Sequence, residues 1–370
     1  MGNRKIVKVG ILTLPLKGNY GGVLQAYALL TFLKKKGYNA FLVDRQWDIR
    51  KKKTISYWIQ KFFFHHFLIK NVKRFSDRWI VPRTNKIDSQ SEMINLNKDN
   101  FDAFIVGSDQ VWRVEHTGGV KNNFFLDFVE DPNVKRISYA PSFGKDSVDV
   151  KEKERKTISK LLKKFTAISV RESSGIDICK NQFDVDAIQV VDPTLLLSAK
   201  EYLPIIESKI NRSQTKVLTT YVLDNSFEKN EKIQEIANVL GLKVKSINYK
   251  KNPSLLLKKP SLDIYNYVYP SVSNWLRGFQ EADFVVTDSF HGTLFSIIFR
   301  KQFIVIGNEK RGMARFQSIL SMLELEDRLI TSSDKSYIDL LDKPIDYSKT
   351  EKILSKEIAK SSDFLLNALE

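Results

Sequence analysis

Short apolar, β-branched runs alternate along this chain with longer segments whose apolar side chains recur at helical spacing. Val7–Leu14, Ala40–Asp44, Phe101–Val106, Arg136–Ala140, Ala167–Val170 and Ile188–Val191 read as one set of strands. Val217–Val222, Val244–Ile247, Phe284–Thr287 and Phe303–Ile306 read as a second set. Runs apolar on both faces, separated by amphipathic segments, predict parallel strands covered by helices. The helices expected between them include Val23–Lys36, Val150–Lys164, Val272–Glu281, the stretch after Asp288, and Tyr347–Glu370. From Ser198 to Thr215 the alternation lapses into polar sequence, which marks a boundary. The expected architecture is α/β: two Rossmann-like domains with parallel sheets facing a central cleft, residues 1–205 and 206–345, then a helix over 346–370. A basic and aromatic helical insertion is expected at about 47–100 in the first domain.

The sharpest chemistry lies in Phe284-Val285-Val286-Thr287-Asp288-Ser289-Phe290-His291-Gly292-Thr293, read as strand, tight polar turn and helix. Asp288 or Ser289 can cap the helix, Gly292 admits a ligand to the backbone, and the free N–H groups favour an anion there. His291 would stand at that anion site; its other reading is a hydrogen-bonded structural histidine, and the turn alone leaves both open. Gly18-Asn19-Tyr20-Gly21-Gly22 is expected as a flexible loop before the first helix. It has neither dinucleotide-fingerprint spacing nor a Walker lysine, so it signals close approach to some ligand or a plain turn.

Asp109 and Gln110 fall at another strand end, where open sheets bind ligands. An aspartate there orients a sugar hydroxyl or acts as a base, or else caps the next helix. Arg171 ends a further strand, able to grip a carboxylate or phosphate bidentately, or to pair with Glu172.

Composition narrows this picture only slightly. The chain has 370 residues, 42% of them apolar, enough for two cores. Its single cysteine, Cys179, excludes an internal disulfide and a cysteine-rich metal site. Ile6–Leu14 is too short for a signal core, and no run of about 18 apolar residues occurs, so a cytoplasmic protein is expected. The net charge of +16 would attract phosphates, acidic glycans, anionic lipid or nucleic acid without choosing among them. Arg50-Lys51-Lys52-Lys53 followed by Tyr57-Trp58-Ile59 and Phe62–Ile69 suits peripheral contact with an anionic membrane, or a packed helical insertion, the simpler reading. His65-His66 lacks ligand-spaced partners, so no metal is assigned. Asp184-Val185-Asp186 resembles a nucleotide-sugar metal motif but reads as a loop before a strand. No zinc knuckle or RNA-binding aromatic signature supports nucleic acid.

Five segments in order resemble the polysaccharide pyruvyl transferase family. They are Gly18–Gly22 leading to Gln25-Ala26, Gly107–Trp112, Val170-Arg171-Glu172, Val191-Asp192-Pro193-Thr194, and Asp288–Thr293. The resemblance implies an architecture like that of two-domain (GT-B-like) glycosyltransferases, with the acceptor on the first domain and the donor on the second. It implies transfer of the enolpyruvyl carbons of phosphoenolpyruvate to two hydroxyls of a sugar in a polysaccharide or its lipid-linked precursor, as in bacterial capsule or exopolysaccharide synthesis. A cyclic ketal and phosphate would result, with no cofactor.

On that reading His291 is the acid, Asp109 the base or acceptor anchor, and Arg171 the donor-binding cation. Gly18, Asn19, Tyr20, Gln110, Ser289, Gly292 and Thr293 complete the expected site. Family members commonly carry an arginine two residues before the histidine, where this chain has Ser289. Arg311, Arg315 and Arg277 are the candidates to replace it. The rival readings are a nucleotide-sugar glycosyltransferase of similar build and a non-catalytic glycan-binding protein.

Overall fold

The computed structural model describes residues 6–16, 18–47, 69–206, 215–248, 269–307, 312–331, 334 and 337–370. The basic run at 50–53, the aromatics up to Leu68, His65, His66 and Arg311 lie outside the described residues.

Strands β1 (Lys8–Leu12), β2 (Asn39–Val43), β3 (Ala103–Asp109), β4 (Lys135–Pro141), β5 (Ala167–Val170) and β6 (Ile188–Gln189) form one sheet in the order β2-β1-β3-β4-β5-β6. Strands β7 (Val217–Tyr221), β8 (Lys243–Ser246), β9 (Phe284–Thr287), β10 (Gln302–Ile306) and β11 (Leu329–Ile330) form the second, ordered β11-β10-β9-β7-β8. Every neighbouring pair is parallel. All residues of β3 and of β9 are buried, as expected of strands with apolar runs covered on both faces that end in polar residues at the carboxyl end.

The first helix runs Tyr20–Lys35, three residues earlier than its sequence suggests. Tyr20, Gly21 and Gly22 are therefore its opening turn and not a loop. Asn19 is the extended N-cap residue, its carbonyl accepting from Val23 N at 3.0 Å, and Gly18 takes φ +58° to bring the chain in. Two glycines in a first turn cost roughly 1 kcal/mol each against alanine. Gly21 is required by a contact across the molecule, where a Cβ would meet the His291 imidazole.

The two halves share one continuous apolar core. Tyr20 stacks on Trp275 with ring centroids 5.2 Å apart, and its hydroxyl donates to Pro270 O at 2.7 Å. The part of the insertion that is described packs inward: helix Lys70–Trp79 sets Phe75 and Trp79 against Tyr27 of the first helix. The last helix, Tyr347–Leu369, returns to the first sheet, burying Leu365 and Leu369 in the shared core and accepting Val191 N on Ser361 Oγ at 3.0 Å. Cys179 is wholly buried in helix Ser173–Phe183, and burial pushes its thiol up to about 12.

Candidate active site

The carboxyl ends of the two sheets open onto a cleft of about 560 Å³. In a parallel sheet the strand ends lift loop residues clear of the ladder, which is why side chains for chemistry collect there.

From the second half, β9 delivers Asp288, Ser289, Phe290 and His291. Ser289 is the N-cap, its Oγ accepting from Gly292 N at 3.4 Å. Asp288 clamps the neighbouring loop, which also lines the cleft, accepting Leu223 N at 2.5 Å, Asp224 N at 3.0 Å and Lys229 Nζ at 2.8 Å. Gly292 has a different reason from ligand approach. A Cβ there would come within 2.2 Å of Thr287 Oγ1, so the helix can close on β9 only with glycine. Thr293 is fully buried and donates to Ser289 O at 3.2 Å. Neither Gly292 nor Thr293 lines the cleft, whereas Ser289 and His291 do.

His291 is held between parts of the other half. On one side lies Gly21, where a Cβ would fall 2.0 Å from the imidazole Nδ1. Beyond Nε2, at 3.7 Å, stands Asp192 Oδ2; the nitrogen is buried and makes no hydrogen bond.

Asp192 is the residue that sequence reasoning passed over, although it sat in a quoted motif. Its side chain has no exposed surface, and its Oδ1 caps the short turn Pro193–Leu196 by accepting Thr194 N at 3.0 Å. Its Oδ2 accepts Ser108 Oγ at 2.8 Å and Arg171 Nη1 at 3.0 Å. Burial alone would raise this carboxyl, but His291, Arg171 and the Thr194 N–H together hold it well below the usual carboxylate range.

Arg171 lies under the cleft floor and not on its wall. It is 4% exposed, pairs with Glu172 Oε1 at 3.0 Å as well as Asp192, and sets its guanidinium 4.4 Å from the Phe290 ring centre. Burial works against its charge, yet Glu172, Asp192 and Asp109 outweigh that and raise its pKa. Its alternative sequence reading, pairing with Glu172, is the one observed.

Asp109 ends β3 in the left-handed region at φ +73°, a conformation that aspartate tolerates better than most residues and that recurs at functional sites. Its Oδ1 accepts Gln110 N at 2.9 Å and its Oδ2 accepts Asn19 Nδ2 at 3.4 Å. Asn19, Gly18, Gln110 and Asp109 all line the cleft; Tyr20 does not, being spent on the interface with Trp275.

Arg315 lines the cleft from helix Ala314–Met322 and is 8% exposed. Arg277 sits elsewhere, bonded to Asn274 at 2.8 Å on the surface of its helix. Several cleft residues had no part in the sequence reading, among them Arg113, the N-cap of the short helix Val114–Thr117 that follows β3, and His116 within that helix. The signal available for them was position alone, close behind a strand end already singled out. Burial and the nearby Arg113 charge push the His116 imidazole below its ordinary value, with Arg315 adding to the effect.

Among the described residues no helix is long and apolar enough to cross a membrane. Similar solved structures share the GT-B-like arrangement of two parallel-sheet domains. A UDP-GlcNAc 2-epimerase from Neisseria meningitidis, bound to UDP-GlcNAc, has a TM-score of 0.55 at 13% identity, covering 98% of this chain and 99% of its own. The S. aureus MnaA–UDP structure gives 0.52 at 12%, covering 98% of each chain. A glycosyltransferase from Rickettsia africae gives 0.51 at 10%, covering 99% of this chain and 96% of its own. At these identities the likeness is one of fold. No curated protein matches the sequence significantly. The profile of the polysaccharide pyruvyl transferase family matches residues 19–310, from the Asn19 cap through the His291 turn, and the chain belongs to that family of transferases.

Proposed function

We propose that this protein moves the enolpyruvyl group of phosphoenolpyruvate onto two hydroxyls of a saccharide, free or lipid-linked. The observation that carries the reading is His291, set in the cleft with a buried carboxylate 3.7 Å behind it, within a chain whose family is defined by pyruvyl transfer.

The reaction needs a proton delivered to the methylene carbon of the donor, which makes C2 electrophilic. With Nε2 turned to Asp192, the imidazolium would supply it from Nδ1, on the side of the cleft-lining Gly21, and Asp192 stabilises the charged ring as a carboxylate behind a catalytic histidine does. The first sugar hydroxyl adds to C2 and returns its proton to the imidazole. Departure of phosphate by C2–O cleavage regenerates an electrophilic C2, the second hydroxyl closes the ketal, and its proton leaves with phosphate. Asp109, already an acceptor from Asn19, is suited to orient an acceptor hydroxyl.

Acceptor-dependent phosphate release from phosphoenolpyruvate, with the ketal identified on the product, tests the reading. His291→Gln is expected to slow it by about 100-fold or more. Near-normal turnover in that variant removes the histidine from its role. Sugar transfer from a uridine or guanosine diphosphate sugar, with no phosphate released from phosphoenolpyruvate, overturns the function.

A further inference from the structure

A donor carrying both phosphate and carboxylate needs cations that reach the cleft, and Arg171 lies beneath its floor, Nε on Glu172 and Nη1 on Asp192, with only Nη2 left without a partner. Among the described residues, the arginines lining the cleft are Arg113 and Arg315, one from each half. We propose that these two guanidiniums, one from each half of the chain, form the seat of the donor's phosphate. The inference rests on the pyruvyl-transfer reading and adds to it the residues that hold the leaving group.

The Arg113 side chain and the segment leading to Arg315 meet at one glycine. Gly144 lies against the Arg113 side chain, where a Cβ would come 2.9 Å from Cδ. Gly312, two residues before the helix that carries Arg315, meets the same residue from the other half, its would-be Cβ 2.4 Å from Gly144 O. Both glycines have left-handed backbones, φ +75° and +88°. The backbone at Gly144 is thus pressed between Arg113 and the segment leading to Arg315, at a contact that a larger residue would wedge apart.

The Arg113 guanidinium keeps capacity for a ligand. Its Nη1 donates to Gln110 Oε1 at a long 3.3 Å, and Nε stands 3.7 Å from Glu115, a half-exposed carboxylate that also pairs with Lys145 at 2.9 Å. Arg315 packs its guanidinium 5.9 Å from the Phe290 ring centre, beside His291. The fields of both arginines reach His116, which supports their facing one cleft. A phosphoryl group has three terminal oxygens and close to two charges, so it can bridge two guanidinium forks, whereas one fork satisfies a carboxylate. As the C2–O bond breaks, charge grows on that phosphate, and the two fixed cations stabilise it without reorganising.

Calorimetric titration of the full-length protein with phosphoenolpyruvate, and separately with inorganic phosphate, tests the seat. Arg113→Gln and Arg315→Gln are each expected to weaken binding of both by about tenfold or more, with the double variant weaker still. Arg113→Lys and Arg315→Lys, which keep charge and volume, should fall between wild type and the glutamine variants. Arg277→Gln should bind as wild type does. Unchanged affinity for both probes in the Arg113 and Arg315 variants overturns the seat, as does weakening for phosphoenolpyruvate alone. Wild type that turns over phosphoenolpyruvate while these variants keep its KM also sinks the seat and leaves the function standing. Wild type that binds phosphoenolpyruvate through both arginines yet transfers it to no acceptor keeps the seat and sinks the function.

Discussion

Asp192 Oδ2 stands 3.7 Å from His291 Nε2, although one residue follows the last strand of the first sheet and the other opens the helix after β9 of the second. The proposed acid and the carboxylate that steadies it meet only because the two halves are packed together. The same carboxylate fixes Arg171, so one buried oxygen ties a strand end, a charged side chain and the imidazole into a unit.

Asp192→Asn should therefore lower kcat by about tenfold or more while changing KM for phosphoenolpyruvate little, since Asp192 lies behind His291 and not in the cleft. It should also cost about 3 kcal/mol of stability, because Arg171 loses one of two carboxylates where water does not reach. Steady-state kinetics and a denaturant titration check both; an equal loss in kcat and a large rise in KM would place Asp192 on the substrate instead.

The depressed Asp192 carboxyl predicts an acid limb of stability. A group held lower in the folded state than in the unfolded chain contributes stability that is complete above about pH 4 and is lost as pH falls toward its folded value. Thermal melts from pH 6 downward should show wild type declining below about pH 4 more steeply than Asp192→Asn. Parallel curves would mean the carboxyl titrates alike in both states.

Gly21→Ala places a carbon 2.0 Å from His291 Nδ1, so the imidazole or the whole helix must move. A stability loss of about 1–3 kcal/mol is expected, together with a fall in turnover larger than that loss explains. Gly119→Ala, where a Cβ meets nothing, is the control. Equal behaviour of the two variants would show that the contact is soft.

His116, kept low by burial and then by Arg113, should titrate below the ordinary histidine value of about 6.5 and be neutral at pH 7. Its imidazole NMR resonances, assigned with His116→Gln, should shift to a higher midpoint in Arg113→Gln. A midpoint at or above the ordinary value in wild type would contradict the cleft's arrangement of charge.

Much of the fold is legible in the chain because its signals are local. Each apolar run between amphipathic stretches became a parallel strand, except that Leu329–Ile330 pairs with β10 over two residues, too short to stand out. The first helix was read as starting late because glycines weaken the helical signal, and what overrides that propensity is a histidine from the other half. The strand ends were read as the place for chemistry, and Asn19, Asp109, Gln110, Ser289, His291 and Arg315 do line one cleft. Arg171, Tyr20, Gly292 and Thr293 stand off that cleft, since spacing tells which residues stand at a strand end and not whether they face a cleft or a neighbour.

The sequence by itself determined the alternation of strand and helix, the two parallel sheets and the turns that carry polar groups, because hydrophobic period and turn chemistry act over a few residues. Only the tertiary structure decided which charges lie beneath the cleft and which line it. Arg171 became a buried partner of Asp192, and Arg113 and Arg315 became the cations of the cleft, because pairing in a low-dielectric interior depends on distances between residues far apart in the chain.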